Sequence, residues 1–557
     1  MLRNVENTIV DEWQVLTQDR NKDMSKRIER LEKRVEKAIE EIRGKRSNEE
    51  PNEERARFET MTKPRPPPGK PNEFVASSSE LVKKQHAPLS FPSSHSPPPP
   101  TKDSPPTPTA RDAFPKWTPF DFARESRPGL NVRNAVSTCK RCLWRTLTSA
   151  TTLLGDGGTF VITGDIDDLW LRDSAAQINP YISLAAENPT VARVVRGLIQ
   201  RHAFYIRFDP WANAFRIDTS YKFNAEQKSL GRHGYISTRN YELDSGCYFV
   251  RMIYRFWKTS PNESILRSPE VVNAAKILVQ LWRAEQRHES DSTPRGELFD
   301  CKNCGRPYRH KTLQRGGKGT KTGFTGMTWS GFRPSDDIAL YGYNVPGNMF
   351  AVVSLRSIEE MARNLWHEET LATDAAALAS EIDEGIRKHG IVAHRTRGRI
   401  YAYEVDGLGH FNMMDDANVP SLLSIPYIGY DYDPEIYAAT RAFVLSRDNP
   451  TFRSSRDGSI EGVGSPHLGV GAIKNNIWPM GIITRGLTSN DLEEKLRVVD
   501  MLLRTTGGTG WMHESIDPSN PGHFTRPFFC WADALFAELV LSMDRSCLEK
   551  PWPSVKS

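Results

Sequence analysis

The sequence lacks any run of about 18 uncharged apolar residues, the length a membrane-spanning helix needs, so composition excludes a transmembrane segment. Its opening, Met1-Leu-Arg-Asn-Val-Glu-Asn-Thr-Ile-Val-Asp-Glu, has no apolar core of the kind a secretory signal carries. The expectation from that opening is a cytoplasmic protein; if the sequence starts downstream of its own leader, the secretory pathway is the alternative. Excess charge is also small. Lys and Arg number 74 against 69 Asp and Glu, leaving +5 over 557 residues, which points to no nucleic-acid or membrane-surface partner. Cysteine is scarce, seven in all, and an odd, sparse set argues against a disulfide framework. Two Cys-x-x-Cys pairs exist, Cys139/Cys142 and Cys301/Cys304. Together they have the makings of a zinc site, but the first lies in a helical pattern and the second has no partner pair nearby, so idle thiols are the preferred reading.

What is present falls into parts by composition. Residues 1–50 are charged and helical, with Met24, Ile28, Leu31, Val35, Ala38 and Ile42 at alternating four- and three-residue steps. Such a seam is either a weak self-associating stem through residues 24–42 or one face of a solvated helix. Residues 51–112 hold 14 prolines between Pro64 and Pro108, an extended linker expected to be disordered. Residues 113–548 have globular texture, and 549–557 form a tail.

Helix signals dominate that long region. Pro269 at a first helical position opens a run with Val272, Ala275, Val279 and Trp282 on one face. Asn490 with Glu493 predicts an N-cap for Leu492 to Leu503. Pro346 to Trp366, Glu368 to His389, Pro434 to Ser446 and Trp531 to Met543 read similarly, whereas alternation is confined to pieces such as Phe160-Val-Ile-Thr and Ile400-Tyr-Ala-Tyr. The prediction is an all-α domain of helical hairpins in a ring, with long loops gathered into a pit at one end.

Those loops carry the chemistry. Trp511-Met-His-Glu-Ser sets Glu514 beside His513, and about 180 residues earlier Trp329-Ser-Gly-Phe-Arg-Pro-Ser-Asp336-Asp337 sets two acids near a tryptophan. Glycoside hydrolysis needs such a pair of carboxyls, one to protonate the leaving oxygen and one to activate or become the nucleophile, with aromatic faces for the sugar ring. Asp168, Trp170, Arg172 and Asp173 suit sugar hydroxyls, or cap a helix start. Glu242 and Asp244 enter another helix. Asp415, Asp416 and Asn418 form a third polar group, and His467 adds a neutral donor or acceptor.

Four segments, Asp168-Leu-Trp-Leu-Arg-Asp-Ser174, Gly331-Phe-Arg-Pro-Ser-Asp-Asp337, Met414-Asp-Asp-Ala-Asn-Val-Pro-Ser-Leu-Leu423 and Met512-His-Glu-Ser515, closely resemble glycoside hydrolase family 125. The resemblance covers roughly residues 114–545. It implies an (α/α)6 barrel, exo-α-1,6-mannosidase activity with inversion, and no metal or other cofactor. It also implies, as partner, an oligosaccharide or glycoprotein glycan bearing α-1,6-mannose. The motif matches put the general base at Glu514 and the general acid at Asp337 or Asp336. Candidate substrate-binding residues are Asp168, Trp170, Arg172, Asp173, Trp329, Arg333, Asp415, Asp416, Asn418, His467, Trp511 and His513. A basic segment, 299–322, looks inserted beside the acid-bearing loop. Two other readings stay open: a catalytically silent glycan-binding or scaffold protein, and a metal-dependent glycosidase using Asp165, Asp167 and Asp168.

Overall fold

The computed structural model describes residues 132–229, 231–260, 263–290, 313–468 and 475–543. The expected stem with its seam at 24–42, the proline-rich linker, the tail 549–557 and the Cys301/Cys304 pair lie outside these residues, as does the inserted segment before Leu313.

Helices carry the architecture in hairpins: α1 (Val132–Arg145) and α2 (Leu171–Ile178), α3 (Pro189–Phe208) and α4 (Leu243–Thr259), α5 (Pro269–Glu285) and α6 (Val345–Met361), then α7 (Glu369–His389) and the single turn α8 (Ile425–Ile428), α9 (Pro434–Val444) and α10 (Pro479–Leu487), α11 (Leu492–Arg504) and α12 (Cys530–Leu541). The even-numbered helices pack on one another, α2 on α4 and α12, α4 on α6, α6 on α8, and α10 on α12. The odd ones lie outside them, α1 and α11 in contact, α3 against α4 and α5, and α7 against α5 and α6.

Burial explains which helix goes where. All eight residues of α2 are buried, as are ten of the twelve in α12, so neither has a face for water. In α7 only a stripe is buried, Leu371, Ala372, Ala375, Leu378, Ala379, Ile382, Gly385 and Ile386; that three-and-four spacing suits a helix lying on a ring. This is the expected all-α, (α/α)6 arrangement.

Starts of the outer helices follow local chemistry. Asn188, Ser268 and Asp433 each accept a backbone N–H of the first turn, and proline follows each at the first helical position. For α11 the expectation was one residue off. The cap is Asp491, whose carboxylate accepts from Glu493 N at 2.9 Å, and Asn490 lies outside.

The inner helices all start at one end, and short antiparallel strands precede them. β1 (Leu169–Trp170), β2 (Ala214–Phe215) and β3 (Ile236–Thr238) form one sheet; β4 (Tyr343–Asn344) pairs with β5 (Glu404–Val405), which pairs with β6 (Phe411–Asn412); β7 (Ser515–Asp517) and β8 (Asn520–Thr525) make a hairpin. An isolated bridge joins Gly164 to Phe529, and another joins Ile477 to Ile516. The loops at this end are therefore stitched to one another.

Candidate active site

β1 delivers the chain straight into α2, which buries Arg172 among carboxylates. Its Nη1 lies 2.5 Å from Asp173, its Nη2 3.2 Å from Glu242 and 3.4 Å from Asp336, and its Nε 3.2 Å from Asp244. The Trp531 ring covers the guanidinium at 5.1 Å. Burial opposes charge on Arg172, but the four acids outweigh it and raise its pKa. Burial also drives the acids upward despite Arg172: Asp173 is raised, Glu242 well raised, and Asp244 pushed up to about 7.

The acid-bearing loop closes over this cluster. Asp336 takes a left-handed backbone, φ +64°, and its Oδ1 accepts from Trp170 Nε1 at 3.1 Å and Asn213 Nδ2 at 2.8 Å. Asp337 accepts from the Ser335 hydroxyl at 3.3 Å and faces His467 Nδ1 at 3.2 Å. The loop is pinned from behind by Arg333, which forks onto both oxygens of Glu404 at 2.6 and 2.9 Å, the bidentate geometry that guanidinium favours.

Glu514 approaches from the hairpin β7–β8. Its carboxylate accepts from Thr525 Oγ1 at 3.0 Å and Arg526 Nη1 at 3.3 Å. Arg526 also holds Asp165 and the Thr163 hydroxyl, at 2.7 and 3.0 Å, so the base-bearing hairpin and the 163–168 loop share one clamp. His467 joins the walls. Burial disfavours its charge, but Asp337, Asp336 and Glu514 together outweigh that and raise its pKa.

Several expected sugar contacts turn inward. Trp329 is 1% exposed and stacks on His288 with ring centres 3.5 Å apart; it is a wall under the acid loop, not an open platform. Trp511 has its face under the Arg145 guanidinium at 4.4 Å, and His513 stacks on Phe524 at 3.7 Å. Asp415 accepts from Leu422 N and Leu423 N, at 2.8 and 3.0 Å, and shapes its own loop. Asp416 takes Asn418 Nδ2 and the Ser465 hydroxyl, at 2.8 and 3.1 Å; burial raises it, and Asp337 adds to that. Asp168 is held by the Ser237 hydroxyl and lies 3.7 Å from Arg216. Asp165 is taken by Arg526, and among the described residues no three His, Cys, Asp or Glu converge as metal ligands.

Trp170, Asp336, Asp337, His467 and Glu514 thus remain at one partly open place, ringed by Arg172, Asp173 and Asp416. Asn213, Glu404, Thr525 and Arg526 were missed by sequence reasoning. Each reaches the acids, or in the case of Glu404 the Arg333 behind them, from a segment with no motif of its own, and only the fold supplies the pairing.

Comparison with known proteins adds an independent line. Residues 133–541 match the family described as metal-independent alpha-mannosidase, glycoside hydrolase family 125. The meiotically up-regulated gene 157 protein of Schizosaccharomyces pombe is 37% identical over 407 residues, 69% of this chain and 76% of its own. A solved structure from a family of metal-independent alpha mannosidases concerned with processing of N-linked glycans, that of Streptococcus pneumoniae in a non-productive complex with α-1,6-mannobiose, is 38% identical. It aligns with a TM-score of 0.67 over 73% of this chain and 93% of that one.

Proposed function

The chain belongs to glycoside hydrolase family 125, the metal-independent α-mannosidases, and from that premise we propose that it removes terminal α-1,6-linked mannose from glycans with inversion, Asp337 acting as general acid and Glu514 as general base. The domain proposed to do so spans 113–548. The observation that carries the reading is the convergence on His467: Asp337 lies 3.2 Å from its Nδ1, and Asp336 and Glu514 act on the same ring. Two carboxyls from loops far apart in sequence thereby face one space.

Between the two aspartates, hydrogen bonding favours Asp337 as acid. Asp336 is engaged by the N–H groups of Trp170, Asn213 and Arg172, all donors, which hold it as an acceptor. Asp337 is engaged by fewer donors, the Ser335 hydroxyl and His467, which leaves it the freer of the two to act on a glycosidic oxygen. In this mechanism Asp337 protonates the glycosidic oxygen as the bond to the anomeric carbon breaks. Glu514, held between Thr525 and Arg526, takes a proton from the water that attacks the opposite face. Inversion needs about 6.5–9.5 Å between the carboxyls to admit that water.

The neighbour's ligand, α-1,6-mannobiose, makes that disaccharide the first substrate to try. A linkage-defined mannobioside panel with the product anomer read by proton NMR tests the proposal. Preferential release from the α-1,6 isomer with β-mannose as first product is expected; release of α-mannose first, or no release from any isomer, overturns it. Activity should also survive EDTA unchanged.

A further inference from the structure

Behind Asp336 the charges do not balance. Arg172 is one cation against Asp173, Glu242, Asp244 and Asp336, all within 3.4 Å of it. Arg526, which also lowers Asp173, is already engaged by Glu514 and Asp165. Four ionised carboxylates around one buried guanidinium would leave an excess of negative charge that a low-dielectric interior does not tolerate. A proton must stay in the cluster.

The hydrogen bonds say where. Glu242 and Asp336 meet on one nitrogen, Arg172 Nη2, at 3.2 and 3.4 Å, and Asp336 helps raise Glu242; carboxyls so placed bond to each other only with a proton between them. Asp336 already accepts from N–H groups of Trp170, Asn213 and Arg172, groups that cannot accept in return. Its side chain is 24% exposed and that of Glu242 is 0% exposed, so charge belongs on the former. Burial, with Asp336 and Asp244 adding to it, raises Glu242 against the pull of Arg172.

We propose that Glu242 is a positioning residue that carries a proton in the working enzyme and donates it in a hydrogen bond to Asp336, fixing that residue and, through it, Asp337. A left-handed non-glycine residue persists only where its surroundings over-determine it, and at Asp336 four donors, the fourth being Glu242, supply that. Glu242 is itself held in place, its oxygens accepting from Arg172 Nη2 at 3.2 and 3.3 Å and from Ser245 Oγ at 3.2 Å. Loss of the proton would set two carboxylates against each other and push the acid loop off its geometry.

The kinetic arm of the test rests on the mannosidase reading; the spectroscopic arm does not. Glutamine at 242 keeps a neutral donor and an acceptor of the same shape, so E242Q should turn over an α-1,6-mannobioside within about tenfold of wild type, while E242A loses a further factor of about 10². Equal losses in both folded variants overturn the proposal. In full-length protein labelled with ¹³C-glutamate, the infrared band of a protonated carboxylic acid should be present at neutral pH and disappear in E242Q. Its absence from wild type, or its persistence in E242Q, equally overturns it, and this measurement decides the matter if E242A fails to fold. Should wild type cleave no mannobioside, the mannosidase reading falls while the infrared result still judges Glu242.

Discussion

Arg333 reaches from the acid-bearing loop into the β4–β5–β6 sheet, where both oxygens of fully buried Glu404 take its fork. Breaking a buried pair strands the other charge, at a cost of about 3–5 kcal/mol. R333M should therefore lower the midpoint of denaturant unfolding strongly, and R333M/E404M should recover much of the loss; additive losses in the double variant would contradict the pairing. Glu514 and Asp337 are a different kind of residue, with short polar partners and little packing at stake. E514Q and D337N should melt near wild type, still bind mannobiose by calorimetry, and lose about 10²–10⁴ or more in turnover. Near-normal turnover of E514Q would move the base elsewhere. The acids of these loops are readable in the sequence because they sit in dense motifs. The same motifs mislead on one aromatic: Trp329 looks like a sugar platform until it is found buried with His288 on its face.

Elements set the spacing between such residues. Gly164 shows how, because its φ of +137° is barred to other residues and a Cβ there would lie 2.0 Å from the Phe528 carbonyl oxygen. Its bridge to Phe529 brings the 163–168 loop alongside Arg526, which orients Glu514. G164A should leave the helical ring folded by circular dichroism yet depress kcat, and unaltered kcat would show that the bridge does not matter to the base. Helix existence was legible from apolar spacing, and the ends of α3, α5 and α9 follow their capping residues. The α11 start moved by one because two polar residues, Asn490 and Asp491, compete for one cap and only the backbone's path chooses between them.

At the scale of the whole molecule, α2, α4 and α12 bring their first turns to the cluster around Arg172, and the cost of gathering acids there depends on pH. Asp244 is the clearest case, pushed up to about 7 by burial against an ordinary value of 3.8. A carboxyl whose folded pKa is raised contributes stability that is complete below its unfolded pKa and lost as pH climbs to the folded one. Relative to D244N, wild type should therefore weaken between about pH 4 and 7 and then hold level; guanidinium unfolding of both proteins across that range checks it. A difference independent of pH would mean that Asp244 stays ionised throughout.

From apolar periodicity and four dense motifs, the sequence by itself determined a helical glycosidase with acids at 336, 337 and 514, since local spacing and residue chemistry are written in the order of the chain. Only the tertiary structure decided which of those side chains meet, which tryptophans are walls, and that Asn213, Glu242, Glu404 and Arg526 support the acids. Those pairings join segments up to hundreds of residues apart, and a contact between distant segments leaves no trace in the pattern of either one alone.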